Sequence, residues 1–442
     1  MSKEAVIVAI AGGGSTFTPG IVNALLSGLD RFPVVEIRLY DIDGSRVELM
    51  GGLIKRIIEI SKALIKVMVT TDGKEAFTGV DFVFSQIRAG GLKMREVDEK
   101  IPLKYGAIGQ ETCGAGGFSY GFRTMKAFIP LVKMIYSYAP DAWILNYTNP
   151  ESIVAEIIRR TFPKAKIINA CDMTISLEET MAENLGYNRD DFVPEYYGLN
   201  HFGWYRKIYD KSLQRDILPE ILEKISGKGL ELHEFQADDE SWQATYKMLG
   251  RMIADFPGYF PNSYFEYYLY SDQVLAKSDK NYTRANEVMD SRERDVYSLA
   301  REIQENPMTP IPKAEKSKHG QYIVDMAVSI LNDSHDRFLL IVPNEGSIEN
   351  VRSDAVVEVP AYVGATGVES ITMGKIPDFH KGLIEAQCAA EKLLVDAFVE
   401  QDYYKALQAF TLNQAVPSAT VAKKCLDEFI IANGDYWPEL HK

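Results

Sequence analysis

Cysteine is scarce in this chain of 442 residues, which contains only Cys113, Cys171, Cys388 and Cys425. Four thiols are too few for a disulfide framework in so long a chain, and this scarcity fits a reducing compartment. No apolar run approaches the ~20 residues that span a bilayer. Residues 1–4 lead into a short apolar segment without the features of a secretory signal. We therefore expect a cytoplasmic protein that does not bind membranes.

Positive charge is also in short supply. The chain has 48 Lys and Arg residues against 62 Asp and Glu residues, which gives a formal net charge of −14, and no local basic patch compensates for it. Such a charge repels nucleic acid and anionic membrane surfaces, so we expect neither as a partner. An anionic substrate would need its own cluster of arginines. With 46% hydrophobic residues, the chain can bury a large core and form two or three domains.

Apolar segments of strand length alternate with segments of helical period in the first part of the chain. Residues 125–138 and 152–160 predict helices between such strands. This alternation is typical of a parallel, doubly wound sheet. The predicted strands are residues 5–11, 34–40, 82–87, 142–147 and 166–170.

Beyond about residue 190 the pattern changes, and residues 305–318 predict a flexible loop. We therefore expect an α/β fold with two domains. Residues 1–190 would form an NAD-binding, Rossmann-like domain, and residues 191–442 a mixed α+β, largely helical domain for substrate and catalysis. A cleft between two domains is a usual place for a small-molecule site. The predicted C-terminal elements are helices at 219–225, 323–331 and 383–399 and strands at 338–342 and 355–363.

A glycine-rich turn follows the first predicted strand. Its sequence is Gly12-Gly13-Gly14-Ser15, and such a turn before a helix brings backbone N–H groups onto a pyrophosphate. Thr18 resembles an N-cap, with Pro19 at the first helical position. Phe17 stands where the usual dinucleotide fingerprint has its third glycine, so helix and strand must pack differently there. An ordinary tight turn is the alternative interpretation.

A carboxylate at the end of the second predicted strand strengthens the nucleotide interpretation. Asp41 lies at the position from which an acidic side chain can bind the adenosine ribose hydroxyls. Asp43 adds negative charge nearby, and this charge disfavours the 2′-phosphate of NADP. The two aspartates therefore predict NAD as the cofactor.

Cys171 and His201 each follow a short strand-like segment. We expect both at the carboxyl end of the sheet, where open α/β folds place their sites. A thiolate and an imidazole can hold a divalent cation while leaving positions open for substrate oxygens. The alternative is that Cys171 is a small buried hydrophobe and His201 a core histidine, and spacing alone favours this alternative.

Six short motifs occur along nearly the whole chain. Together, and in this order along the chain, they resemble glycoside hydrolase family 4. The subgroup that the chain most resembles is the 6-phospho-α-glucosidases, because Asp172 follows the cysteine where the β-specific relatives have Cys-Asn. Thr174 departs from the proline that is usual in the α group. The motifs are Gly12-Gly13-Gly14-Ser15 with Thr18-Pro19-Gly20, Gly109-Gln110-Glu111-Thr112, Asn146-Tyr147-Thr148-Asn149-Pro150, Cys171-Asp172-Met173, Gly198-Leu199-Asn200-His201-Phe202-Gly203 and Thr283-Arg284-Ala285-Asn286-Glu287.

This resemblance implies an unusual hydrolysis of 6-phospho-α-glucosides, such as maltose 6′-phosphate, to glucose 6-phosphate and an aglycone. Tightly held NAD⁺ would take hydride from C3 of the sugar, and the resulting ketone would acidify the proton on C2. Elimination of the glycosidic oxygen, addition of water and return of the hydride would complete the cycle. The family also implies a homo-oligomer, either a dimer or a tetramer.

The resemblance assigns roles to residues across the chain. Cys171 and His201 would bind Mn²⁺ or another divalent metal, although a thiolate by itself favours zinc. Asp172 would be the general acid, which must stay protonated near neutral pH. Tyr264 would be the base, its pKa of ~10 lowered by a nearby cation, and Glu111 would raise its basicity. Without the resemblance, the tyrosine-rich segment around Tyr264 predicts an aromatic core.

Arginines are predicted to hold the substrate's phosphate. Arg95, Asn149 and Arg284 match substrate-contacting positions of the family, and a guanidinium can bind phosphate through paired hydrogen bonds. For an arginine considered alone, a solvated surface role is the alternative.

Three other functions remain open from the sequence. A 6-phospho-β-glucosidase of the same family is the first alternative. A plain NAD-dependent sugar or hydroxyacid dehydrogenase would release NADH and need no Cys-His metal. An NAD-binding sensor without catalysis would tolerate replacement of Cys171 and Asp172.

Overall fold

The computed structural model describes residues 5–231, 240–312 and 318–442. Six strands of the N-terminal half run parallel to one another. They are β1 (Val6–Ala11), β2 (Val34–Tyr40), β3 (Lys66–Thr70), β4 (Phe82–Ser85), β5 (Trp143–Asn146) and β6 (Ile167–Asn169). Their order across the sheet is β3-β2-β1-β4-β5-β6, which confirms the predicted Rossmann-like, doubly wound arrangement.

Seven helices connect or follow these strands, and two details differ from the predictions. The helix predicted at 125–138 begins earlier, at Gly114. The prediction of Thr18 as an N-cap is wrong, because Phe17 occupies that position and Pro19 is the second helical residue. The Thr18 hydroxyl instead donates a hydrogen bond to the Gly13 carbonyl at 3.0 Å. The helices are α1 (Thr18–Ser27), α2 (Gly44–Ser61), α3 (Gly73–Phe77), α4 (Gly91–Lys104), α5 (Gly114–Tyr138), α6 (Glu151–Thr161) and α7 (Met173–Leu185).

The C-terminal strands extend the same sheet in antiparallel fashion. They are β7 (Phe192–Leu199), β8 (Phe202–Asp210), β9 (Arg215–Asp216), β10 (Phe260–Pro261), β11 (Asp336–Pro343), β12 (Val356–Gly364) and β13 (Gly367–Ser370). From β6 the order continues as β11-β12-β7-β8-β10, with Ile341 opposite Asn169 and Glu358 opposite Gly198. One sheet therefore runs through both halves of the chain, and the predicted boundary at residue 190 stays a prediction.

The remaining helices confirm the largely helical character predicted for the C-terminal half. A π-helical turn, Met289–Glu293, precedes the sixth of them. The predicted loop begins after Glu305, residues 306–312 have no regular structure, and residues 313–317 lie outside the described residues. The helices are α8 (Leu218–Ile225), α9 (Glu240–Asp255), α10 (Glu266–Leu269), α11 (Ser271–Lys277), α12 (Arg284–Val288), α13 (Arg294–Glu305), α14 (Lys318–Asn332), α15 (Asp378–Glu400), α16 (Tyr403–Leu412) and α17 (Ala419–Asn433).

Apolar side chains fill both faces of the sheet. One face carries a core formed by both halves of the chain. On the other, α15 to α17 pack against α5 and α6, and the rings of Phe118 and Phe410 meet edge to face at 5.6 Å. No helix among the described residues combines the length and the apolar character that crossing a bilayer requires.

His380 is buried near the start of α15, in an aromatic cluster on the antiparallel part of the sheet. Its ring stacks on Trp204 at 3.9 Å, and its Nδ1 lies 2.7 Å from the Tyr197 hydroxyl. Burial lowers the pKa of His380 to about 4 from an ordinary value of 6.5. The native state therefore takes up this proton less readily than the unfolded chain.

We expect His380 to make the fold acid-sensitive between about pH 6.5 and about pH 4. Because its pKa is depressed in the native state, its contribution to stability is complete above 6.5 and is lost as the pH falls, about 3 kcal/mol in all. Urea unfolding of wild type and His380→Phe at about pH 7.5 and about pH 4.5 measures the difference. His441→Gln, at an exposed histidine, should keep the wild-type pH dependence. An equal pH dependence in His380→Phe would show that His380 is not responsible.

Candidate active site

A cleft of about 2000 Å³ opens where the parallel strands end. Most of the predicted site residues line it. Gly13 and Gly14 do not, because they lie beneath the surface of the turn, against Leu39 and Asp41. The predicted residues on the cleft wall are Gly12, Ser15, Asp41, Arg95, Glu111, Asn149, Cys171, Asp172, His201, Tyr264 and Arg284.

The glycine turn lets the ends of three strands approach closely. Gly12 has φ +84°, and a Cβ atom there would lie 2.9 Å from the Gln86 carbonyl oxygen. A Cβ atom on Gly13 would lie 2.9 Å from the Cβ of Leu39. Neither position accepts a side chain without moving a neighbouring strand. The turn is therefore tightly packed, and its glycines place no side chains beside the N-terminus of α1, which lets a pyrophosphate approach the backbone at Gly12 on the cleft wall.

Asp41 is held rigidly at the end of β2. Its Oδ2 accepts a hydrogen bond from the Gly14 N–H at 3.0 Å, and its Oδ1 accepts one from the Asp43 N–H at 3.1 Å. Asp43 in turn caps α2 by accepting from the Arg46 N–H. These bonds fix the Asp41 carboxylate beside the glycine turn, the geometry expected for an acid that binds a ribose.

Cys171 and His201 face each other across the cleft floor. Cys171 follows β6, and His201 belongs to the tight turn between β7 and β8, where its φ is +62°. The Cys171 Sγ lies 3.2 Å from the His201 Nε2. This distance is shorter than the sum of the ~2.3 Å and ~2.0 Å bonds that sulfur and nitrogen make to a metal such as zinc. One cation can therefore contact both atoms.

The surroundings of this pair suit a cation. Burial and the nearby carboxyl groups of Asp172 and Glu358 raise the pKa of the Cys171 thiol well above its ordinary value, so the thiol keeps its proton until a cation replaces it. Burial lowers the pKa of His201 to about 4, which keeps the imidazole neutral at pH 7. Within residues 5–231, 240–312 and 318–442 no third His, Cys, Asp or Glu completes a closed metal cluster. The donor set therefore fits an open site whose other positions are left for substrate oxygens.

Tyr264 lies beside this pair, in a short 3₁₀ turn, Ser263–Phe265. Its ring contacts His201 edge to face at 4.8 Å and stacks on Trp242 at 5.9 Å. Burial raises the pKa of Tyr264 well above 10, Glu111 raises it further, and Arg95 opposes the rise. Tyr264 thus belongs both to an aromatic cluster, as composition alone indicated, and to the wall of the cleft.

Glu111 is clamped between two arginines. It accepts a hydrogen bond from Arg88 at 2.6 Å and lies 3.3 Å from a guanidinium nitrogen of Arg95. Burial alone would raise the pKa of Glu111, but Arg88 and Arg95 lower it to about 2. Arg95 also donates to the buried Glu99 at 2.7 Å. Glu111 is therefore a fixed negative charge near Tyr264.

The other predicted substrate residues lie on the same wall. Arg284 begins α12 and donates to Glu287 at 2.7 Å. The side-chain oxygen of Asn149 is buried and has no hydrogen-bond partner among the described residues. Arg292, in the π-helical turn, places its guanidinium 4.3 Å from the centre of the Phe17 ring. The arginines of this wall give the acidic chain a local positive site.

Two family models match consecutive parts of the chain. The model of the family 4 glycosyl hydrolases matches residues 7–187, and the model of the C-terminal domain of family 4 glycosyl hydrolases matches residues 196–416. The protein belongs to glycosyl hydrolase family 4.

Relatives within family 4 resemble the protein over its full length. A maltose-6′-phosphate glucosidase from Clostridium acetobutylicum is 49% identical over 98% of this chain and 99% of its own. A 6-phospho-β-glucosidase from Thermotoga maritima is 30% identical over 97% and 99%.

Solved structures of the family agree with this fold. A 6-phospho-α-glucosidase from gut microorganisms, in complex with NAD and Mn²⁺, superimposes with a TM-score of 0.96 at 40% identity. Another, in complex with NAD and glucose-6-phosphate, gives 0.96 at 42%. Each comparison covers 99% of this chain and 100% of the other.

Sequence reasoning missed several residues of this family 4 site. Arg88 follows β4 at the same edge of the sheet, and the position rule that found Cys171 could have found it. Trp242 and Arg292 come from helical segments that meet the cleft only through tertiary packing. Glu358, in the middle of β12, is not on the cleft wall but lies close enough to Cys171 to raise the pKa of that thiol. Burial raises the pKa of Glu358 itself to about 8, and no local pattern in the sequence marks it.

Proposed function

We propose that this family 4 hydrolase is a 6-phospho-α-glucosidase that cleaves substrates such as maltose 6′-phosphate with the help of NAD and a divalent metal. The observation that carries the proposal is the 3.2 Å approach of Cys171 Sγ and His201 Nε2 in the cleft that also contains the Gly12 turn. A dinucleotide site needs no such pair. The pairing instead suits an enzyme that oxidises a sugar and stabilises the product's oxygens in one place.

The α preference is supported from two directions. Identity to the maltose-6′-phosphate glucosidase is 49%, against 30% to the 6-phospho-β-glucosidase. Asp172 follows Cys171, the proposed metal ligand, and it lies at the N-terminal end of α7, partly exposed on the cleft wall. We assign it the protonation of the departing glycosidic oxygen.

The residues of the site fit two groups that are not part of the polypeptide. NAD at the Gly12 turn and a divalent metal at Cys171 and His201 would supply reversible oxidation at C3 and Lewis-acid polarisation of the sugar oxygens. Asp41 would bind the adenosine ribose of the nucleotide. Burial of Cys171 and His201 excludes water from this floor and strengthens each electrostatic interaction there.

Tyr264 is proposed to take the proton from C2 of the sugar. Its ring lies 4.8 Å from that of His201 and lines the same cleft, so Tyr264 is close to the proposed metal position. A divalent charge there would lower the pKa of Tyr264, which burial otherwise holds above 10. Glu111 acts in the opposite direction and makes the tyrosinate a stronger base once formed, which supports the role that the family implies for it.

The phosphate of the substrate is proposed to bind at Arg95, Asn149 and Arg284. Glu99 and Glu111 hold Arg95 in place, and Glu287 holds Arg284. Preorganised guanidinium groups lose little side-chain entropy on binding an anion.

A comparison of chromogenic 6-phospho-α- and 6-phospho-β-glucosides tests the proposal. We expect hydrolysis of the α-linked compound to require both NAD⁺ and Mn²⁺ and to exceed that of the β-linked compound, with no accumulation of NADH. Stoichiometric NADH would indicate a plain dehydrogenase, and faster β hydrolysis a 6-phospho-β-glucosidase. A rate that survives removal of both nucleotide and metal would contradict the mechanism.

The homo-oligomer implied by the family stays a prediction, which sedimentation of the purified protein can test.

A further inference from the structure

The hydroxyl of Thr112 lies between His201 and Gln110. Its Oγ1 is 3.2 Å from the His201 Nδ1 and 3.1 Å from the Gln110 Oε1. The opposite ring nitrogen of His201, Nε2, faces Cys171. Thr112 therefore touches the face of the imidazole that points away from the proposed metal position.

The orientation of the Gln110 amide follows from its neighbours. The backbone N–H of Thr112 donates to Oε1 at 2.6 Å, and the backbone N–H of Cys113 donates to it at 2.7 Å. A backbone N–H can only donate, so the atom that receives both must be the amide oxygen and not the nitrogen. Gln110 thus presents a pure acceptor to the Thr112 hydroxyl.

This acceptor decides the direction of the remaining hydrogen bonds. A threonine hydroxyl has one proton, and Gln110 Oε1 is the oxygen within reach of it. The Cys113 sulfur, at 3.9 Å, is a weaker and more distant alternative. With its proton directed to Gln110, the hydroxyl must accept at His201, so the Nδ1 of His201 carries a hydrogen. Its Nε2 is then left with a free lone pair.

The backbone also restricts the orientation of the His201 ring. His201 has φ +62°, an unusual conformation for a residue with a side chain, and its ring is flanked by Tyr264. Turn, hydroxyl and tyrosine ring together leave the imidazole a single orientation. Thr112 is the one of the three that also selects the tautomer.

We propose that Thr112, oriented by Gln110, is a positioning residue that fixes His201 as its Nδ1–H tautomer and so presents Nε2, together with Cys171, to a divalent cation. The metal part of this inference rests on the proposed function, whereas the tautomer does not. It also explains how Gly109-Gln110-Glu111-Thr112 serves two purposes, since Glu111 faces the arginines while Gln110 and Thr112 serve the histidine.

Nitrogen-15 NMR of the histidine rings in the full-length protein tests the tautomer without metal. The His201 signal is assigned by its loss in His201→Gln. We expect the Nδ1–H form in wild type and in Thr112→Ser, and a shift towards a mixture of tautomers in Thr112→Val, which keeps the shape but lacks the hydroxyl. If Thr112→Val does not fold, Thr112→Ala serves as the second variant without a hydroxyl. An Nε2–H tautomer in wild type would overturn the inference with no variant needed.

Mn²⁺ titration followed by electron paramagnetic resonance, with NAD⁺ present, gives the second readout. Loss of a group that orients a metal ligand typically weakens metal binding about 10- to 100-fold, and we expect this for Thr112→Val but not for Thr112→Ser. Thr411→Val, at an exposed helix position, is the matched control and should bind Mn²⁺ as wild type does. Unchanged tautomer and Mn²⁺ affinity in Thr112→Val would refute the positioning role while leaving the proposed function intact. Because the NMR readout needs no metal, it decides the tautomer even if the proposed function fails.

Discussion

Replacing Tyr264 by phenylalanine is expected to lower kcat/KM for a 6-phospho-α-glucoside about 100- to 10,000-fold, the range for loss of a general base. The change removes only the hydroxyl. The ring keeps its contacts with His201 and Trp242, so the fold should remain intact. Steady-state kinetics and exchange of the C2 proton with deuterated solvent, followed by NMR, measure the effect. We expect C2 exchange to disappear together with turnover.

Tyr267→Phe is the matched control for this experiment. The rings of Tyr264 and Tyr267 meet at 5.2 Å, and burial raises the pKa of both. A general effect of losing a buried hydroxyl would therefore appear in both variants. If Tyr267→Phe loses C2 exchange and Tyr264→Phe retains it, the base has been assigned to the wrong tyrosine.

Cys171→Ala should abolish tight binding of Mn²⁺ and, with it, hydrolysis. The variant removes one of the two protein donors in the proposed site. Loss of a group that merely orients a metal ligand weakens metal binding by up to roughly 100-fold. We therefore expect Cys171→Ala to weaken Mn²⁺ binding by more than this. Electron paramagnetic resonance of added Mn²⁺, with NAD⁺ present, measures binding, and initial rates measure activity. Nucleotide affinity should change little, because the Gly12 turn lies on a different strand.

Cys425→Ala controls for the loss of a buried thiol. Cys425 is fully buried in α17, remote from the cleft lining. The Cys425→Ala variant should be less stable than wild type, because it loses packing contacts, but it should bind Mn²⁺ as wild type does. Wild-type Mn²⁺ affinity in Cys171→Ala would show that the Cys171–His201 pair is not the metal site.

Local sequence pattern identified five of the six parallel strands but missed the edge strand β3, most of whose side chains are only partly buried. Apolar segments ending in glycine or aspartate identified β1 and β2, since strands covered on both faces need continuous apolar sequence. The pattern could not show that β11 pairs with β6 and continues the sheet, because that pairing joins residues far apart in the chain. Thr18 was misplaced for a related reason. Its hydroxyl donates a hydrogen bond to the Gly13 carbonyl across the turn, and α1 has no side-chain cap.

In the candidate site, too, the sequence predicted some residues and not the contacts between them. Because Cys171 and His201 each follow a strand-like segment, the sequence predicted both at one edge of the sheet. The structure brings them together. The partners that tune them could not be read from spacing. Thr112 reaches His201 across 89 positions of sequence, and Arg88 meets Glu111 only through packing. Such contacts depend on tertiary structure, for which a single sequence carries no periodic signal.

The unbroken sheet constrains how substrate enters and product leaves. Because β6, β11, β12 and β7 are joined by hydrogen bonds, the two halves have no seam about which they could swing apart as rigid bodies. Opening by hinge rotation would break the pairing of Ile341 with Asn169 or of Glu358 with Gly198, which joins the strands that precede Cys171 and His201. If the proposed function is correct, we expect sugars to enter and leave through local displacement of the helices along the rim, without separation of Cys171 from His201.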